Sequence, residues 1–330
     1  MKASPDFLIV VGASAGGLTA LRKLVKDFEP GLNAAVCVVL HLPDISDTNF
    51  FVQQLRMNST LICMEATHNL QIRKDHIYVA PVNKHLLVND GKLILGNGAR
   101  ENRWRPSIDV LFRSAAAHYS TRSIGVILTG LLNDGVAGMS AIKRSKGKCI
   151  VLDPKEAEYP EMPEAVLANM KADYSIPLAE IVPVIKKLTQ KKIKQQKAPA
   201  DVLAESRIAE KAVIGIERVE PLGENTIYSC PDCGGNLWEI KDNGMNRYRC
   251  HTGHTYSEND LVLSQREELE STLWTALRMM EERKHLLTTI HDQNLKRGLR
   301  RLAALNNDQA DEIATHIDRL KAILFSGQNK

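Results

Sequence analysis

The sequence predicts an α/β protein: a doubly wound, mostly parallel sheet with a hairpin insertion, followed by a small cysteine-knuckle ribbon and an α-helical hairpin. Three observations predict it. Apolar runs of strand length alternate with segments of helical period as far as residue 188, Cys230, Cys233 and Cys250 cluster late in the chain, and apolar residues recur at threes and fours beyond residue 269.

Residues 7–13 read as a buried first strand, and helical spacing begins at Leu18 and runs to Phe28, so Ser14 stands on a strand-to-helix turn. Gly12-x-Ser14-x-Gly16 has the form of a nucleophile elbow, where glycines permit a tight backbone and the hydroxyl stands beside amide donors at a helix start. A glycine-rich turn after a first strand more often binds phosphate or simply closes a βα unit. Residues 33–42 read as a second parallel strand, ending in His41 at the edge where open α/β sheets gather their chemistry. The plainer alternative is a histidine capping a loop. Short alternating runs over 61–98, including 76–80 and the pair 86–88 and 92–95 around Asp90-Gly91, read as the hairpin insertion, because Asp-Gly favours the positive backbone angles of tight turns. A helix starts within 105–113, with Pro106 near its first turn and Ile108, Leu111 and Phe112 on one face. Residues 123–129 are another buried strand, and the glycine-rich turn after it carries Asp134, a residue type that is ordinary in surface turns. A helix from Met139, a strand over 148–152 and helices over 163–170 and 178–188 complete the domain.

Six lysines between Lys186 and Lys197, followed by Pro199, mark the end of this domain. The expected boundaries are 1–190 for the catalytic domain, 191–225 for a solvated linker, 226–256 for the ribbon and 257–330 for a helical tail. Cys230-Pro-Asp-Cys233 and Cys250-His251-Thr-Gly-His254 are two knuckles separated by a short strand-like span, the spacing of a zinc ribbon. Cys230, Cys233 and Cys250 are three of four tetrahedral ligands. The fourth is His254 or His251, with His254 preferred because Thr252-Gly253 lets the chain turn back. Four protein ligands leave no position for substrate, so the Zn2+ is expected to be structural; the competing reading is three incidental cysteines. Ser257-x-x-Asp260 has the form of a helix capping box. Leu269, Leu273, Leu277, Met280, Leu287 and Ile290 then form one stripe, and Ile313, Ile317, Leu320 and Leu324 another, with Asn306 to Asp308 expected as the turn between them. Such a stripe packs within the chain or in a homodimer.

Composition narrows the classes. A net charge of +4 and 44% hydrophobic residues describe an ordinary globular protein, and charge alone compels no nucleic-acid or membrane partner. No apolar run approaches a membrane span, and the first six residues lack a secretory signal, which predicts a cytoplasmic location. Cys37, Cys63 and Cys149 are scattered through strand-like segments, which argues for reduced core thiols rather than a disulfide framework.

Ser14, His41 and Asp134 thus fall at strand ends of one predicted sheet. A serine hydroxyl needs an imidazole to accept its proton, and the imidazole needs a carboxylate to fix its tautomer. The order Ser, His, Asp differs from that of the α/β-hydrolases. Over about residues 7–188 the chain resembles the catalytic domain of bacterial chemotaxis protein-glutamate methylesterases of the CheB type. The likeness rests on Val11-Gly-Ala-Ser-Ala-Gly-Gly17, Leu40-His-Leu-Pro43, Arg105-Pro-Ser-Ile-Asp-Val-Leu-Phe112, Leu128-Thr-Gly-Leu-Leu-Asn-Asp-Gly135 and Met162-Pro163. The resemblance implies Ser14 as nucleophile, His41 as general base and acid, Asp134 as its orienter, and oxyanion donors in the substrate loop at Ala15, Gly16 and Leu131. It also implies hydrolysis of glutamyl methyl esters on chemoreceptors, in some members deamidation of glutamine, and no cofactor for catalysis. Ala15 stands where the family commonly has a hydroxyl residue. The family's N-terminal receiver domain has no counterpart ahead of residue 7, so a stand-alone enzyme is expected, with a separate receiver protein as a candidate partner. The ribbon and tail resemble an extension of some stand-alone relatives. Two other classes compete. A nucleotide-binding reading lacks the third fingerprint glycine and has His41 where an acid is expected, although Asp44 follows. An idle interaction module would use the ribbon on protein or nucleic acid, yet Trp238, Tyr248, Arg247 and Arg249 are a sparse set for nucleic acid.

Overall fold

The structure is a computed structural model that describes residues 5–43, 45–210, 223–242 and 245–326; Asp44 and residues 211–222 of the expected linker lie outside them. The chain divides into two compact units, Met1–Asp260 and Leu261–Lys330.

The first unit opens with β1 (Phe7–Ala13), α1 (Gly17–Lys26), β2 (Ala34–Leu40), α2 (Thr48–Arg56), β3 (Ile62–Glu65), β4 (Leu70–Gln71), β5 (His76–Val79), β6 (His85–Asn89) and β7 (Lys92–Gly96). It continues with α3 (Ile108–Tyr119), β8 (Ser123–Ile127), α4 (Val136–Arg144), β9 (Lys148–Leu152), α5 (Glu161–Asn169), β10 (Tyr174–Ile176), α6 (Leu178–Thr189) and α7 (Ala200–Glu210). Seven strands form one sheet in the order β10-β9-β8-β1-β2-β5-β3, with every neighbouring pair parallel.

All seven residues of β1 are buried, as expected for a central strand covered on both faces. Alternation along it splits the core in two. Phe7, Ile9 and Val11 pack with Leu21 and Leu24 of α1, Val52 of α2 and Ile181 and Ile185 of α6. Leu8 and Val10 pack with Leu111 and Phe112 of α3, Met139 of α4, Val166 of α5 and Val202 of α7. The sheet is therefore doubly wound. The chain moves from β1 to β2 on one side and later returns to place β8 on the other, so the topological switch point falls at β1, between the carboxyl ends of β2 and β8.

Several expectations are corrected. Only β4, β6 and β7 form the inserted antiparallel sheet; β3 and β5, read from sequence as part of the hairpin, are parallel strands of the main sheet. Their few residues carry too little periodicity to reveal which sheet they join. The span expected as a solvated linker holds α7, with Val202 and Glu205 buried. Here β11 (Glu224–Ser229), β12 (Asn236–Asp242), β13 (Met245–Cys250) and β14 (Thr255–Ser257) form a four-stranded antiparallel sheet that belongs to the same compact unit as the parallel sheet.

α8 (Glu258–Lys296) starts at the predicted cap: the Ser257 hydroxyl accepts from the Asp260 N–H at 3.1 Å and donates to its carboxylate at 2.7 Å. In the second unit Leu273, Leu277 and Met280 of α8 pack with Ile313, Ile317, Leu320 and Leu324 of α9 (Arg300–Ser326), the predicted stripes. The turn lies at residues 297–299, and Asn306 to Asp308, expected there, are inside α9. Leu269 is exposed rather than packed. Among the described residues no helix is long and apolar enough to cross a membrane.

Candidate active site

Ser14 follows β1 directly and His41 follows β2. Ala13 pairs with Leu40 in the parallel ladder, and the His41 N–H donates to the Ala13 carbonyl at 3.0 Å, so the two residues leave adjacent strands side by side. Gly16, at φ 71°, ends the turn and starts α1, a left-handed angle that glycine adopts without a Cβ penalty. The Ser14 N–H is held by the Thr129 carbonyl at 3.0 Å, tying the turn to the end of β8. Close packing matters there too: a Cβ on Gly130 would lie 2.9 Å from that of Ser14 and 2.7 Å from the Met162 methyl.

Asp134, in the loop between β8 and α4, reaches across to the ring. His41 Nε2 lies 2.9 Å from Asp134 Oδ2, with both side chains almost wholly buried. Because a carboxylate only accepts, Nε2 carries the proton, and in the neutral ring the lone pair is on Nδ1. That Nδ1 is buried and has no hydrogen-bond partner among the described residues. Trp104 covers the ring, its centroid 4.1 Å away and its plane tilted by 10°.

The carboxylate is itself held by the start of α3. Asp134 Oδ2 accepts from the Ile108 N–H at 2.7 Å, while Oδ1 accepts from the Asp109 N–H at 3.2 Å, the Ser107 hydroxyl at 2.9 Å and the Asn102 side-chain amide at 2.9 Å. A helix N-terminus offers unpaired N–H groups and positive dipole, which explains why a negative charge tolerates this burial. Burial pushes the Asp134 carboxyl up, but the His41 hydrogen bond and charge, with the Asn102 and Ile108 donors, outweigh it and hold the group below the ordinary carboxylate range. Asp109 moves the other way: burial and the neighbouring Asp134 charge raise its carboxyl. The pair therefore keeps its negative charge on the member that faces histidine.

Of the expected oxyanion donors, neither the Ala15 nor the Leu131 N–H is engaged by a backbone carbonyl among the described residues, and Leu131 is exposed. Asn102, Trp104 and Ser107 are not among the site residues that the sequence predicts. Ser107 was the one with a signal, standing between Pro106 and the first apolar residue of a helix, where N-caps occur. A cavity of about 810 Å³ lies at the opposite, amino edge of the strands, beside Asn33, Arg122 and Lys186, and contains none of these residues.

A second cluster lies in the antiparallel sheet. The ligand atoms of Cys230, Cys233, Cys250 and His254 all fall within 4.8 Å of one another, and His254, not His251, completes the group. Cys233 and Cys250 sulfurs are 3.7 Å apart, and His254 Nδ1 is 3.6 Å from Cys230 Sγ and 3.5 Å from Cys250 Sγ. A tetrahedral zinc ion with bonds of about 2.3 Å to sulfur and 2.0–2.1 Å to nitrogen demands edges of about 3.8 and 3.5 Å. The donor set and spacing fit such an ion. Asp232 accepts from the Tyr256 hydroxyl at 2.6 Å and stands 3.8 Å from His254 Nε2, beyond hydrogen-bond reach.

Residues 9–185 match the CheB methylesterase family. The chain belongs to that family. A putative protein-glutamate methylesterase/protein-glutamine glutaminase of Leptospira interrogans serovar copenhageni is 35% identical over 189 residues, covering 57% of this chain and 97% of that protein. Protein-glutamate methylesterase/protein-glutamine glutaminase 3 of Burkholderia lata is 37% identical over 182 residues, 54% of this chain and 50% of its own, so the chain spans about half the length of that relative. The crystal structure of the Thermotoga maritima CheB methylesterase catalytic domain matches with a TM-score of 0.54 at 29% identity, covering 56% of this chain and 100% of that one. The CheB methylesterase match ends at residue 185, so α7, the four-stranded sheet and the helical tail lie beyond it.

Proposed function

We propose that this CheB methylesterase family member hydrolyses glutamyl methyl esters on a methylated chemoreceptor, using Ser14, His41 and Asp134. The observation that carries the reading is the His41 ring itself: its Nε2 is committed to Asp134, its buried Nδ1 has no hydrogen-bond partner among the described residues, and its backbone leaves the strand next to the one that ends at Ser14. Rotation of the Ser14 side chain toward Nδ1 completes the relay. The hydroxyl oxygen attacks the ester carbonyl while Nδ1 takes its proton, and the backbone N–H groups of Ala15, Gly16 and Leu131 meet the developing oxyanion. Collapse expels methanol with the proton returned by His41. Water activated by the same nitrogen then cleaves the acyl-serine and leaves a glutamate carboxylate. A glutamine side chain would follow the same path with ammonia as leaving group.

By the same reading residues 1–190 are the catalytic domain and 226–256 a small zinc ribbon ahead of the helical tail. Cys230, Cys233, Cys250 and His254 would hold Zn2+ in a closed, structural site, where it supplies cross-linking rather than Lewis acidity.

Incubation with radiomethylated chemoreceptor membranes, reading released methanol, tests the assignment. Ser14→Ala should lose on the order of 10⁴-fold or more in rate and its labelling by a serine-trapping phosphonate. Hydrolysis or labelling that survives in Ser14→Ala sinks it.

A further inference from the structure

Asp134 is gripped from a direction that the catalytic chemistry does not explain. Asn102, which donates to Asp134 Oδ1, spends its backbone N–H on the Thr255 carbonyl at 2.8 Å, and Glu101 forms a parallel bridge with Thr255. Asn133, the residue before Asp134, donates its side-chain amide to the Ser257 hydroxyl at 2.7 Å. Both contacts land on β14, whose first residue follows the metal-cluster member His254.

Charge reinforces the seam. Glu101 and Arg113 pair in the buried space beneath it, and Arg249 of β13 stands 3.5 Å from Glu101. Glu205 of α7 accepts from Arg247 of β13 at 2.8 Å and lies 3.5 Å from Arg113. All five side chains are nearly inaccessible, so undocking β13 would leave the carboxylates without part of their neutralising charge.

We infer that the cysteine–histidine sheet is a working part of the esterase: metal held by Cys230, Cys233, Cys250 and His254 fixes β14, and β14 fixes Asn102 as the positioning residue for Asp134. The inference rests on the methylesterase reading for its rate readout but not for its structural one. The coupling follows a short covalent and hydrogen-bonded path from His254 to Thr255, Asn102, Asp134 and His41. Asn102 sits at φ 50°, a left-handed angle that asparagine tolerates better than most non-glycine residues, and the hydrogen bond to Thr255 holds it there.

The test uses the full chain, stripped of metal by a chelator and reloaded with Zn2+, with metal content followed by elemental analysis. Stripping should lower kcat by about tenfold or more with little change in KM, and Zn2+ should restore it. Amide hydrogen exchange should quicken at residues 100–104 and 132–134 as well as at 250–257. Faster exchange confined to the sheet, with kcat unchanged in metal-free protein, overturns the inference. Should the stripped chain lose its fold, Asn102→Gly decides: it relieves the left-handed angle, keeps the backbone bond to Thr255 and removes the side-chain amide, which donates to Asp109 Oδ2 at 2.7 Å as well as to Asp134 Oδ1 at 2.9 Å. That variant should retain its zinc and stay folded at the assay temperature while kcat falls about tenfold; an unchanged kcat overturns the proposal. A zinc-loaded wild-type chain without esterase activity would instead count against the methylesterase reading, and the exchange at 100–104 would then judge the coupling by itself.

Discussion

His41 Nε2 and Asp134 Oδ2 meet at 2.9 Å although 93 positions separate them in the chain, and five donors in all converge on that one carboxylate. The contact dictates which ring nitrogen is basic. Replacing Asp134 with asparagine keeps the shape but presents an NH2 group to donors and releases the tautomer. Asp134→Asn should lower kcat on the order of 10³- to 10⁴-fold with little effect on KM, measured by methanol release. A change of less than tenfold would remove Asp134 from the reaction.

Trp104 restrains the same ring from its face, at 4.1 Å and nearly parallel. Without the indole the imidazole can swing, and misplacement of this kind costs roughly 10- to 100-fold in kcat. Trp104→Ala should show that loss and Trp104→Phe should recover much of it. Equal rates for the two variants would contradict a stacking role.

The ion cluster under the seam has an acid signature. Burial works against the Glu205 charge, yet the Arg247 and Arg113 guanidiniums outweigh it and pull the carboxyl from 4.5 down to about 2. A lowered folded value contributes stability that is present above pH 4.5 and lost as pH falls toward 2. The difference is worth roughly 3 kcal/mol. Urea unfolding should therefore weaken between pH 5 and pH 2 in wild type, and the slope should flatten in Glu205→Gln, which pays its cost already at neutral pH. Parallel slopes would mean that Glu205 is not the titrating group.

Strong periodicity was legible. The buried runs of β1, β2, β8 and β9, the stripes of α8 and α9 and the knuckle spacing of Cys230, Cys233, Cys250 and His254 all stood out because each repeats a physical constraint within a few residues. Short elements did not: β3, β5 and β10 have four, four and three residues, at most two alternations, too few to distinguish main sheet from insertion. α7 hid in a lysine-rich, Pro-punctuated stretch whose buried glutamate reads as solvated until its arginine partners are seen.

By itself the sequence determined the residue types of the site and the strand ends that carry them, since backbone turns and burial patterns are local properties. Only the tertiary structure decided that His41 turns Nε2 to Asp134, that Asn102, Ser107 and the first turn of α3 hold that carboxylate, and that β13 and β14 seat against them. Those contacts join residues tens to more than a hundred positions apart. Their partners are chosen by packing and by the need to pair every buried charge, which no short stretch of sequence can record.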